Sequence, residues 1–180
     1  MKKSKFIKLA FLAFVAYLLP HSVSAQDKEA EKLITESNKA KTAFIRTDPS
    51  MATLFKSSYG YVIFPKIGKG GLIVGGSGGN GILYEKGKAA GLVKTGQLTV
   101  GAQVGGQTYR EVIFFENQDA LNRMKESKTE FSSQISAVAV KSGVSKNAKY
   151  TDGVSVFTQD LSGLMAEATV GGQKFKYTAF

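Results

Sequence analysis

Leu98-Thr99-Val100-Gly101-Ala102-Gln103-Val104 alternates larger apolar with small or polar residues, and Val112-Ile113-Phe114-Phe115 follows as an unbroken apolar run. Successive side chains on a strand point to opposite sides, so the first pattern predicts a strand with one buried face. The second predicts a strand buried on both faces. Between them, Gly105-Gly106 predicts a tight turn leading into Tyr109 to Phe115. Upstream, Tyr61 to Phe64 is a β-branched and aromatic run halted by Pro65. Downstream, strands are predicted over Ile135 to Val140, Val154 to Thr158, Gly163 to Val170 and Gln173 to Tyr177. In the last of these Phe175 and Tyr177 share one face and Lys174 and Lys176 the other, which covers a core while showing two charges to solvent.

Helical patterns flank these runs. From Lys28 to Ile45 the positions Ala30, Leu33, Ile34, Ser37, Lys41, Phe44 and Ile45 follow the i, i+3, i+4, i+7 spacing of one helix face, with a single lysine interrupting the stripe. Lys28, Lys32, Glu36 and Lys39 fall on the wet side. Asp48-Pro49 reads as N-cap and first turn of a second helix that runs to about Ser58 and stops near Gly60. Asn117 can cap a third, from Gln118 to about Glu126. The expected class is α+β: a mostly antiparallel sheet, sandwich or barrel-like, with N-terminal amphipathic helices and one mid-chain helix.

The chain opens with Lys2, Lys3, Lys5 and Lys8, continues through the apolar run Leu9 to Leu19, and reaches Val23-Ser24-Ala25. That order predicts a secretory signal peptide over residues 1–25, since the apolar run falls short of the roughly 20 residues a bilayer requires. Residues 26–180 then form one domain. Its 20 basic and 14 acidic side chains leave it at about +6, against +10 for the full chain. A periplasmic or secreted location permits disulfides, yet the chain has no cysteine, and its one histidine, His21, lies in the leader. Thiol and imidazole catalysis are thereby excluded for the mature chain, and so are soft ligands for zinc or copper. No cofactor or metal is expected. Paired carboxylates could still hydrolyse a glycoside, but Asp152 and Asp160 sit where turn formers belong.

Fourteen of the 20 glycines lie between Gly68 and Gly106. Gly76-Ser77-Gly78-Gly79-Asn80-Gly81 fits the GxGxxG pattern of dinucleotide sites, but a strand-like stretch follows it where a phosphate cradle requires a helix. The same span carries Lys66, Lys69, Lys86, Lys88, Lys94 and Arg110 against one acid, Glu85. With Lys174 and Lys176, these lysines form the candidate site for anionic phospholipid or a membrane surface, each worth about 1 kcal/mol near anionic lipid. Lysines that only protect a sheet edge are the competing explanation. No nucleic-acid-binding motif is present.

Three separated segments resemble the bacterial SYLF domain family. They are Tyr59 to Gly71, Gly101 to Gln107, and the closing pair Gly163 to Ala168 with Gly172 to Tyr177. The resemblance implies lipid binding, phosphoinositides included, without catalysis or cofactor. It also implies membrane and actin contact through a basic, amphipathic N-terminal segment. The corresponding stretch here, Lys28 to Ile45, carries Glu29, Glu31 and Glu36 among its lysines. The leading expectation is a non-enzymatic module that binds anionic lipid. The alternative is a protein-interaction module that presents Leu33, Ile34, Lys41 and Phe44 of the first helix to a partner.

Overall fold

The computed structural model describes residues 20–126, 137–170 and 173–180, with their side chains except at 20–26, 99–103 and 163–170. Of the leader expected over 1–25, residues 1–19 fall outside this range. Among the described residues no helix is long and apolar enough to cross a membrane. The chain divides into units over Met1–Lys32 and Leu33–Phe180, and the second holds the fold discussed below.

The elements in order are α1 (Pro20–Thr47), α2 (Met51–Ser57), β1 (Gly60–Gly71), β2 (Val74–Glu85), β3 (Lys88–Phe115), α3 (Gln118–Lys125), β4 (Val138–Ala139), a 3-10 turn (Val144–Asn147), β5 (Val154–Val170) and β6 (Gln173–Ala179). The class is α+β, and every strand pair is antiparallel except the short β4 beside β5.

β3 departs from expectation. Gly105-Gly106 makes no turn between two strands: the strand runs through it for 28 residues. Straight, it would extend about 95 Å. Yet Lys88 pairs with Glu85, Glu85 with Gly60, and Gly60 with Phe115, so its two ends lie three strand spacings apart, about 14 Å. β3 therefore doubles back through its glycine-rich middle, where Gly105 adopts a φ of 119°. Its N-terminal half pairs with β2 and β6, and its C-terminal half with β1 and β5. The spatial order is β5, the C-terminal half of β3, β1, β2, the N-terminal half of β3, β6.

This sheet curls. Along it β6 and the C-terminal half of β3 are four spacings apart, about 19 Å. Across its hollow, however, Gln173 Nε2 of β6 donates to Glu111 Oε1 at 2.9 Å, and the Phe64 and Phe175 rings lie 6.1 Å apart. Of the two architectures expected, the barrel-like one is observed. Val62, Phe64, Ile113 and Phe115 fill the hollow with Leu121 and Met124 of α3. Tyr61, Ile63, Val112 and Phe114 face outward against Phe44 of α1 and Met51 and Phe55 of α2. The run 112–115 is thus buried on both faces because helices cover one side and the curl encloses the other. Gly81 makes room for the Phe64 ring on the neighbouring strand: a Cβ there would stand 2.6 Å from Cδ1 of Phe64.

Smaller departures have local causes. Asp48 is not the N-cap of α2, whose cap position is Ser50. The Asp48 carboxylate instead accepts from the Ser50 N–H at 3.1 Å, from the Ser50 hydroxyl and from the Ser145 N–H at 2.8 Å, tying the α1–α2 corner to the 3-10 turn. Burial opposes its charge, but these hydrogen bonds outweigh burial and hold the carboxyl well below the usual carboxylate range. Stability from this group is present above its unfolded pKa near 3.8 and is lost as pH falls below it. Asp48→Asn is expected to cost about 2 kcal/mol at neutral pH, read as a lower urea midpoint with an unchanged slope. Asn117 caps α3 as expected, accepting from Ala120 N at 3.0 Å. Asp152 is a turn residue, with φ 52°. Asp160 is not: it lies within β5 beside a register shift and accepts from Gln107 at 2.6 Å. The strand expected over Ile135 to Val140 is described only as Val138–Ala139, and the strand over Gly163 to Val170 is the continuation of β5. Leu98 and Val104, expected on a buried face, are exposed. They lie at the end of the sheet that none of the described helices covers.

Candidate functional site

Directly paired residues on antiparallel strands put their side chains on the same face. On the outer face, beyond the ground held by α1 and α2, Lys66 of β1 pairs with Asn80 of β2, Asn80 with Lys94 of β3, and Lys94 with Lys176 of β6. One row of three lysines and an asparagine crosses four strands, about 14 Å. The next row, about 7 Å toward the tip, reads Gly68, Gly78, Gly96 and Lys174. Three adjacent glycines leave bare backbone there. A Cβ at Gly68 or Gly96 would meet nothing within 4 Å, so this floor is open. A shallow cavity of about 650 Å³ lies over it, lined by Gly68, Gly76, Gly78, Gly96, Leu98 and Lys174 among others.

Neither row contains a carboxylate. Lys94 and Lys176 stand opposite each other with Cβ atoms about 5 Å apart, an arrangement that costs stability. Edge protection explains lysines on β6, whose one described partner is β3, but not Lys66 and Lys94, which stand on strands paired on both sides.

The structure therefore brings together Lys66, Lys94, Lys174 and Lys176 and leaves three of the seven candidate lysines elsewhere. Lys69 follows the parity of the buried Ile67 and belongs to the opposite face, beside Ser77 and Gln107. Lys86 lies in the β2–β3 turn and Lys88 directly after it, at the far end of the sheet, about 20 Å from Lys94. There Lys86 Nζ lies 5.8 Å from the Tyr59 ring centre, and Lys88 pairs in register with Glu85. Asn80 was missed in the sequence because nothing local marks its register.

The partner-binding face proposed for the first helix is occupied within the chain. Phe44 is wholly buried, and Leu33 and Ile34 pack on the outer-face core. Lys41, the lysine in the apolar stripe, donates to the Tyr61 hydroxyl at 2.9 Å with its ammonium 4.8 Å from the Phe55 ring centre and 5.0 Å from that of Tyr61. Its position in the stripe is explained by this aromatic seat. The GxGxxG pattern lies wholly within β2, with no helix after it.

No family model matches the chain. The chain is similar to Beta cell expansion factor A of Aeromonas veronii, with 29% identity over 156 residues that cover 81% of this chain and 57% of that protein. The matched region thus spans little more than half of the relative's length. That name describes an effect on cells and specifies no ligand.

Proposed function

We propose that this is an exported, non-enzymatic protein that docks on anionic phospholipid surfaces through Lys66, Lys94, Lys174 and Lys176. The observation that carries this reading is the lysine row across four strands beside a bare glycine floor. Ammonium groups donate hydrogen bonds to phosphate oxygens, and a floor without side chains lets a headgroup approach the backbone closely. Four positive charges gathered on one face also raise the local concentration of any anionic surface. A partner on the apolar face of α1 would have to displace the chain's own core.

The protein is expected to float with phosphatidylglycerol vesicles at about 50 mM salt and to be progressively released toward about 300 mM, as screening shortens the reach of the charges. Equal flotation with neutral phosphatidylcholine vesicles would refute the electrostatic reading.

A further inference from the structure

The β1–β2 hairpin ends in Leu72-Ile73-Val74, which are 66%, 76% and 64% exposed. Hairpin turns are ordinarily polar, and three consecutive exposed aliphatic residues are a liability unless they are used. The turn is closed by the Leu72 N–H donating to the Val74 carbonyl at 3.4 Å, so the three side chains are presented by a formed hairpin. Leu98, 78% exposed, pairs with Gly76 on the same outer face as the lysines. The order along that face from its helix-covered end is Lys66-Asn80-Lys94-Lys176, then Gly68-Gly78-Gly96-Lys174, then Gly70-Gly76-Leu98, then the apolar turn.

We infer that the Leu72-Ile73-Val74 turn, with Leu98, enters the acyl layer of an anionic bilayer while the lysine rows hold the phosphates above it. The inference rests on the docking reading above and adds a second, apolar contact to it. The dimensions agree. Leu72 lies four residues beyond Gly68, so the turn projects about 14 Å past the Lys174 row. A headgroup layer is about 6 Å deep, which leaves the turn several ångströms inside the hydrocarbon when Lys174 stands at the phosphates, within the depth that interfacial elements reach. Lysines set back from an apolar tip match a membrane's layering, with anionic groups outside and hydrocarbon within.

The chain has no cysteine, so Ile73→Cys can be labelled at one site with an environment-sensitive fluorophore, with the exposed Lys56→Cys of α2 as control. On phosphatidylglycerol vesicles the label at 73 is expected to shift to the blue and to be quenched by nitroxides on the acyl chains, while the label at 56 is unaffected. In parallel, the double variant Leu72→Ser/Ile73→Ser, which removes apolar surface without adding charge, is expected to keep its circular dichroism and low-salt flotation but to lose about 30-fold in binding near physiological salt. A label at 73 that stays unshifted while the protein floats overturns insertion and leaves docking intact. Failure of the unmodified protein to float overturns both. A blue shift without vesicles that grows with protein concentration identifies the turn as a contact between copies and overturns insertion as well.

Discussion

Replacing Lys66, Lys94, Lys174 and Lys176 together by glutamine is expected to weaken binding to phosphatidylglycerol vesicles by about 4 kcal/mol at low salt, close to a thousandfold, because each lysine near an anionic surface contributes about 1 kcal/mol. Near physiological ionic strength the loss shrinks, since the Debye length falls to about 8 Å. Folding should not suffer. Removing the opposed Lys94 and Lys176 charges relieves a cross-strand repulsion and is expected to raise stability by a few tenths of a kcal/mol. The matched control, Lys86→Gln with Lys88→Gln, removes two charges from the same sheet at its far end and should leave binding within about threefold. A second control on α1, Lys28→Gln, Lys32→Gln and Lys39→Gln, removes three exposed charges from the segment that the SYLF resemblance would implicate. If the α1 set abolishes binding and the sheet set does not, the lysine rows are scaffold and the site is on the helix.

Glu111→Gln is expected to flatten the pH dependence of stability above pH 5. Glu111 is buried inside the curled sheet, and burial pushes its carboxyl up to about 7, against a smaller opposing effect of the Gln173 hydrogen bond. A carboxyl whose pKa is higher in the folded than in the unfolded state binds more protons when folded. Its stabilising contribution is complete below about 4.5 and is lost as pH rises through about 7. Above that, the native state is weaker by on the order of 3 kcal/mol, at 1.36 kcal/mol for each pKa unit. Glutamine has the same shape, cannot ionise, and can still accept from Gln173 Nε2. Thermal melts at pH 5 and pH 8 should therefore diverge for the parent and nearly coincide for the variant. Equal slopes for both proteins would mean that water reaches Glu111 and that the hollow is not closed there.

These two experiments probe opposite sides of one sheet. The outer face at its glycine end is bare, charged and open, whereas the inner face is closed tightly enough to raise a carboxyl. Both follow from the doubling back of β3. That fold-back brings the two halves of β3 onto either side of the β1–β2 hairpin, and it leaves the β1–β2 turn and the bend of β3 at the same end of the sheet. Asp48, which anchors the helical cover at the other end, is the third group on which the arrangement depends.

Periodicity and local chemistry determined a good deal of this protein by themselves. The alternation of Lys174, Phe175, Lys176 and Tyr177 placed two charges outward and two rings inward, because side-chain direction on a strand depends on sequence parity alone. Asn117 marked the start of α3, because a cap is a contact between near neighbours. The double burial of 112–115 was legible because no polar residue interrupts the run. Register was not legible. Lys66 and Lys94 are 28 positions apart, and Lys94 and Lys176 are 82 apart, and only pairing through Asn80 and across β3 makes them one row. The fold-back of β3 was hidden for the same reason: Gly105-Gly106 permits a turn or a bend, and which one forms is decided by strands that pair with it from distant parts of the chain. So too for α1, whose apolar stripe is equally suited to a partner or to the chain's own sheet until the outer-face aromatics are seen beneath it.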